Sequence, residues 1–254
     1  VIRRAAALVL AAVVLAACGS GGSDDAATTT TTSSSIATPM TVADRLGAEL
    51  GDDALARQVV AGLGDDVLHQ LEAKVGDAVA TSPLLAYAPT TVPDDDVDAL
   101  VVYAFGYREA ADGSRTPGPV NEALADAVEG FVADHPVPVF AQTEIAGILR
   151  ADGVDHVTSI DPDVGADGTP VYLSTAGVAA KVKALAGDVD TFGVLGFADH
   201  AVRCVLTSEA AGLHGGVPAG VTLPSTYDPQ SGQPWTRDRA SYIKTDLIGR
   251  LTTL

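Results

Sequence analysis

The chain has 254 residues, with 33 acidic and 15 basic side chains and a formal net charge of −18. So large an acidic excess repels nucleic acid and anionic lipid surfaces and argues against both as partners. A hydrophobic content of 47% over this length is enough for one good domain plus an accessory segment.

In chain order, Arg3 and Arg4 precede an apolar run at 5–17 that is too short to span a bilayer as a helix, the pattern of a secretory signal. The run closes in Leu15-Ala16-Ala17-Cys18-Gly19, which resembles the lipobox of bacterial lipoproteins. The resemblance implies cleavage before Cys18, lipidation of its sulfur, and anchoring to the extracytoplasmic face of the cell membrane by acyl chains. Cleavage would remove two of the 15 basic residues and none of the 33 acidic ones, taking the net charge to about −20. With Cys18 acylated, Cys204 has no partner thiol, so the fold is expected to stand on its core without an intramolecular disulfide. Residues 18–40 are rich in Gly, Ser and Thr and read as a disordered tether, either a plain spacer or a carrier of sugars.

Helical spacing begins at 41, with Val42, Leu46 and Leu50 and then Val67, Leu71, Val75 and Val79 each four apart. Gly51-Asp52 and Gly64-Asp65 read as the stop of one helix and the acidic N-cap of the next. Pro83, Pro89, Pro93 and the aspartates at 94–96 mark a boundary, which makes 41–92 a helical accessory segment and 93–254 a second domain. In that domain strands and helices alternate: strands at 99–105, 139–141, 157–160 and 191–195, and an edge strand at 221–223. Helices are expected around Val120 to Phe131, at 143–151, from Ser174 or Thr175 to Ala186, after Asp199, and at the C-terminus with Ile243, Leu247 and Leu251 inward. The expectation is an α/β fold, a mainly parallel, doubly wound sheet of about five strands with helices on both faces.

Several local patterns invite chemistry and each has a plainer reading. His200 and Cys204, at i and i+4, share a helix face as metal ligands do, but no further cysteine is at hand and packing suits Cys204. Asp161, Asp163 and Asp167 lack the spacing of a calcium loop and read as a solvated turn. No G-x-S-x-G elbow is present, and Ser174 and Ser225 suit capping and turning. The strongest constellation is distributed over the strand ends: Arg108 or Arg115 after the first strand, Glu144 after the second, Thr175 at a helix start, and Asp199, His200 and Arg203 after the fourth. Together they form a rim suited to phosphate or carboxylate, with His200 or Glu144 able to move a proton. The alternative is that Asp199 is an N-cap, Arg203 pairs with a surface carboxylate and Glu144 complements a helix dipole.

A strand, a turn and then His200-Ala-Val-Arg203 on a helix ending in Ala211-Gly212 resembles the late motif of the SanA/YdcF-like envelope proteins, a domain of unknown function. The resemblance spans residues 98–254 and implies an envelope-associated α/β domain in which Gly106, Glu144 and Thr175 hold the other motif positions. Gly106 stands alone where the family has a glycine cluster, and the Asn usual three residues after the Thr is absent. The expected roles are thus catalytic for His200 and Glu144, ligand-binding for Gly106, Arg108, Thr175, Asp199 and Arg203, and lipidation for Cys18. The ligand would be small and anionic or nucleotide-like. The rival expectations are a non-catalytic interaction or solute-binding lipoprotein, with the 41–79 helices docking a partner, and a hydrolase of an envelope ester or phosphate.

Overall fold

The computed structural model describes residues 40–166 and 168–253, so the expected signal, Cys18, the tether up to residue 39 and Asp167 lie outside the described part. Local chemistry starts the chain. Thr41 Oγ1 accepts from Asp44 N at 3.1 Å and Asp44 Oδ2 accepts from Thr41 N at 2.9 Å, a reciprocal capping box that opens α1 (Val42–Leu50). Gly51 then adopts φ 65°, a left-handed value that costs glycine little, and Asp52 caps α2 (Asp53–Leu63) by accepting from Leu55 N at 2.9 Å. The second Gly-Asp pair works differently. Gly64 itself precedes α3 (Asp65–Val75) without any side-chain cap, and Asp65 is the first helical residue, where its charge complements the helix dipole.

The sheet has six strands, all parallel, built from β1 (Thr91–Val92), β2 (Ala99–Val102), β5 (Val139–Gln142), β6 (Val157–Ile160), β7 (Phe192–Leu195) and β8 (Gly215–Pro218). A two-residue antiparallel pair, β3 (Arg108–Glu109) and β4 (Arg115–Thr116), stands outside it. The connecting helices are α4 (Pro119–Asp134), α5 (Thr143–Ala151), α6 (Thr175–Leu185) and α7 (Ala201–Ala210), and α8 (Arg239–Thr253) closes the chain. Strand order is β1-β8-β7-β2-β5-β6. The chain leaves β2 in one direction for β5 and β6, then returns across it to β7 and β8. Connections therefore diverge between β2 and β7, and at such a switch point a crevice opens beyond the carboxyl ends of the strands.

The alternation of β2 explains the layers. Leu100 and Val102 join a buried cluster with Leu124 of α4, Leu149 of α5 and Leu247 of α8, whereas Ala99 and Val101 join another with Val182 of α6 and Val205 of α7. Helices thus cover both faces, as expected of a doubly wound α/β fold. The edge strand expected at 221–223 is a loop, and the sheet instead continues through β8 to β1. The new strand opens on two glycines, Gly215 and Gly216. A Cβ on Gly215 would lie 1.9 Å from the Phe192 carbonyl oxygen and one on Gly216 2.5 Å from that of Thr90. Only glycine permits backbone so close, and here it marks a strand interior.

The helices of the 41–92 segment share the core of the sheet domain. Leu46 and Leu71 are fully buried in the same cluster as Leu100 and Ile243, α2 and α3 lie against α8, and Thr91 pairs with Val217 in the sheet. Among the described residues no helix is long and apolar enough to cross a membrane.

A shared core predicts one unfolding event. Leu46→Ala should cost about 3 kcal/mol, in the usual range for a buried leucine. Far-ultraviolet circular dichroism and tyrosine fluorescence should move together in denaturant. Two separated transitions would show that the segment folds on its own.

Candidate functional site

The loop after β2 forms one wall of the crevice and is held by two amides. Asn121, fully buried on α4, accepts from Phe105 N at 2.8 Å and donates through Nδ2 to Gly106 O at 2.9 Å and Pro117 O at 2.7 Å. Gln142 at the end of β5 accepts from Ala104 N at 2.9 Å. Gly106 takes φ 72°, and a Cβ there would lie 2.7 Å from Ser231 Oγ and 2.9 Å from Thr236 Oγ1. A single glycine is therefore required by the close approach of the 231–236 loop.

On the other side of the switch point, Phe197 stacks on Phe105 with ring centroids 4.1 Å apart, and a turn at Ala198–His200 delivers the start of α7. Arg203 Nε donates to His200 Nδ1 at 3.4 Å, which leaves Nδ1 as acceptor and places the imidazole proton on Nε2, 3.5 Å from Thr175 Oγ1. Burial first, and then the charges of Arg203 and Arg250, push the His200 pKa well below the ordinary value. His200 is therefore a neutral hydrogen-bond donor at the cavity wall. Its surroundings oppose a second proton, so the expected proton-carrying role has little electrostatic support.

Arg203 is anchored from α8. Its Nε lies 2.7 Å from Asp246 Oδ1, and Nη2 donates to Tyr242 OH at 3.1 Å. Asp246 is completely buried and shared: its Oδ2 lies 2.7 Å from Nη2 of Arg250, which is also completely buried. Arg250 reaches the opposite way, donating through Nη1 to Ala86 O at 2.6 Å and packing over the Tyr87 ring at 4.4 Å. Tyr87 and Tyr242 each donate a hydroxyl to Asp246 at 3.3 Å, and burial raises the pKa of both phenols well above normal, so both remain donors. Among the described residues Asp246 is the only carboxylate paired with either arginine. Two guanidiniums share one carboxylate beside a neutral histidine, so the cluster holds a surplus positive charge, and Arg203 is its part that reaches the cavity.

The cavity has a volume of about 410 Å³, ordinary for a small-molecule site. Gly106, Glu144, Thr175, His200 and Arg203 line it, as does Arg115, whose guanidinium sits 4.3 Å from the centre of the Tyr107 ring. Three helix starts meet here. Ser174 caps α6 by accepting from Gly177 N at 3.1 Å, while α5 and α7 begin without a side-chain cap. Among the described residues Glu144 is the only carboxylate on the wall.

Two expected members are placed elsewhere. Arg108 makes a two-pronged pair with Asp228, Nε to Oδ2 at 2.8 Å and Nη2 to Oδ1 at 3.0 Å, and borders a separate cavity with Pro224 and Tyr227. Asp199 caps no helix; it accepts from Arg239 at 2.9 and 3.0 Å and from Tyr227 OH at 2.8 Å. In both cases a long-range ion pair outweighs the local role read from position. Cys204 is fully buried against Gly196, its thiol pKa raised by desolvation, and is a packing residue. Asp161 accepts from Thr143 Oγ1 at 2.7 Å and Asp163 pairs with Lys181 at 2.7 Å. Among the described residues no cluster of three or more His, Cys, Asp or Glu side chains is arranged to hold a metal.

Asn121, Gln142, Tyr242 and Asp246 are absent from the sequence-based site. A signal for the last two was present: Tyr242, Asp246 and Arg250 recur every four residues, one position before the apolar stripe of Ile243, Leu247 and Leu251. Compared with protein-family models, curated proteins and solved structures, the chain matches none.

Removing the shared carboxylate should be severe. Asp246→Asn leaves two buried guanidiniums without a counter-charge and is expected to cost about 3–5 kcal/mol in denaturant titrations. His200 supplies a pH dependence. Its folded-state pKa is depressed, so below about 6.5 the unfolded chain takes up a proton that the native state refuses. Native stability should be complete above that pH and fall on acidification, by at most about 1.4 kcal/mol per pH unit. His200→Asn should flatten the wild-type stability profile between roughly pH 6.5 and 5.5.

Proposed function

We propose that this chain is a lipid-anchored, SanA/YdcF-like envelope protein whose α/β unit binds a small anionic or nucleotide-like ligand in the cavity at the switch point. The observation that carries this reading is the sharing of buried Asp246 between Arg203 and Arg250, two guanidiniums on one carboxylate, with Arg203 among the residues that line the cavity. Arg115 from the opposite loop, the Nε2–H of His200 and the Thr175 hydroxyl add donors, and the uncapped starts of α5 and α7 add backbone dipole. Anchoring rests on the Leu15–Gly19 pattern around Cys18 alone.

The alternative in which the 41–79 helices dock a protein has less to draw on, because their apolar faces are consumed by the shared core. A hydrolytic step would have to call on Glu144, the only wall carboxylate among the described residues, since His200 is set up to donate.

Thermal unfolding of the chain in a series of phosphate and carboxylate compounds, including sugar phosphates and nucleotides, tests the binding. A ligand at a hundred times its Kd should add about 2.7 kcal/mol to the native state. Arg115→Ala and Thr175→Val remove partly exposed groups and should fold normally while losing most of that stabilisation. If the wild type gains nothing from any anion at millimolar concentration, the reading is wrong. For the anchor, Cys18→Ala should move the protein from the membrane fraction to the soluble one.

A further inference from the structure

The cavity has a second chemical character at its mouth. Among the described residues only two aromatic side chains rank with the exposed large hydrophobics, Tyr172 at 72% and Trp235 at 40%, and both line this cavity. Single exposed apolar residues need no explanation. Two large rings brought from separate loops to one opening are different, because each forgoes the burial that aromatic surface ordinarily gains.

Both rings stand on held turns. Trp235 lies in the short turn Pro234–Thr236, fastened by a 2.7 Å bond between Ser231 Oγ and Thr236 Oγ1, by Gly232 N donating to Tyr107 O at 2.7 Å, and by Arg237 Nε donating to Ser231 O at 2.6 Å. Tyr172 follows a loop closed by the bridge between Val164 and Pro170 and by Val171 N donating to Asp163 O at 2.7 Å. Lys181 in turn holds the Asp163 carboxylate. Rings presented on such turns lose little freedom on meeting a ligand, which is how preorganised sites gain affinity.

The cations of the cavity are differently placed, with the Arg203 side chain only 20% exposed and Arg115 exposed and held over the Tyr107 ring. The cavity thus joins a sheltered cation at Arg203 to flat apolar surface and a second cation at its opening. We infer that the ligand is a phosphate monoester carrying a planar ring, its phosphate at Arg203 and Arg115 and its ring against Trp235 and Tyr172. This rests on the anion-binding reading of the same cavity and specifies the class of anion. Inorganic phosphate would use the cationic donors alone, whereas an aromatic ester uses these and the rings, and ring stacking on aromatic side chains is a sequence-tolerant source of affinity.

Trp235 is the only tryptophan of the chain, so its fluorescence reports on this mouth alone. The full chain is titrated with methyl phosphate, phenyl phosphate and uridine monophosphate at one ionic strength, with calorimetry for the variant that lacks the fluorophore. At least one ring-bearing ester should bind roughly tenfold tighter than methyl phosphate and alter Trp235 emission. Trp235→Ala and Tyr172→Ala should each forfeit roughly fivefold or more of that advantage while leaving methyl phosphate affinity unchanged. Equal affinity for all three esters overturns the ring and leaves anion binding in place. Binding of none of them overturns both.

Discussion

The arrangement of the site depends on one carboxylate. Asp246 lies on α8 at the meeting point of the strand-end cavity, the last helix and the segment that follows the N-terminal helices, and it touches a group from each: Arg203, Arg250 and Tyr87. A charge so completely buried is expensive unless every lone pair is engaged, and here two guanidiniums and two phenols engage it. The cost of leaving any member unpaired ties the parts together. Residues 84–87 fix Arg250 through the carbonyl oxygens of Leu84 and Ala86, Arg250 fixes Asp246, and Asp246 fixes Arg203, which lines the cavity. The segment at 84–87 therefore forms part of the support of the site, at a distance from the cavity itself.

The sheet supplies the rest of the geometry. Connections that part between β2 and β7 leave room for the loops that carry Phe105 and Phe197, which stack on each other and on the edges of Tyr227 and Tyr242. This aromatic packing separates the apolar interior from the polar wall above it. The local dielectric is low there, which strengthens the pairings of Arg203 and keeps His200 neutral.

The electrostatics of the molecule and of the site have opposite signs. A net charge of −18 retards the approach of any anion, while the surplus charge of the arginine cluster favours one that has arrived and shed its water. Binding in such a site depends on short-range contact, which favours a ligand with features beyond charge. Glu144 adds a local repulsion on the wall that the same contact must overcome or use.

Much of the fold was legible because it is written in short-range pattern. The helix at 143–151 and the strand at 157–160 occur at the expected residues, the Ser174 cap is as read, and alternation along β2 divides the two layers. The failures share a cause. Gly215 and Gly216 carry no local mark that separates a turn from a strand crowded by its neighbours, and the capping role given to Asp199 took no account of Arg239. The same applies to Arg108, taken by Asp228, and to Asp246, which stood beside an apolar stripe without a visible partner. By itself the sequence determined the central strands and the helices that alternate with them, since periodicity, caps and glycine act within a few residues. Only the tertiary structure decided which arginine faces the cavity and which is neutralised, because a charge pairs across a few ångströms of space, whatever the distance along the chain.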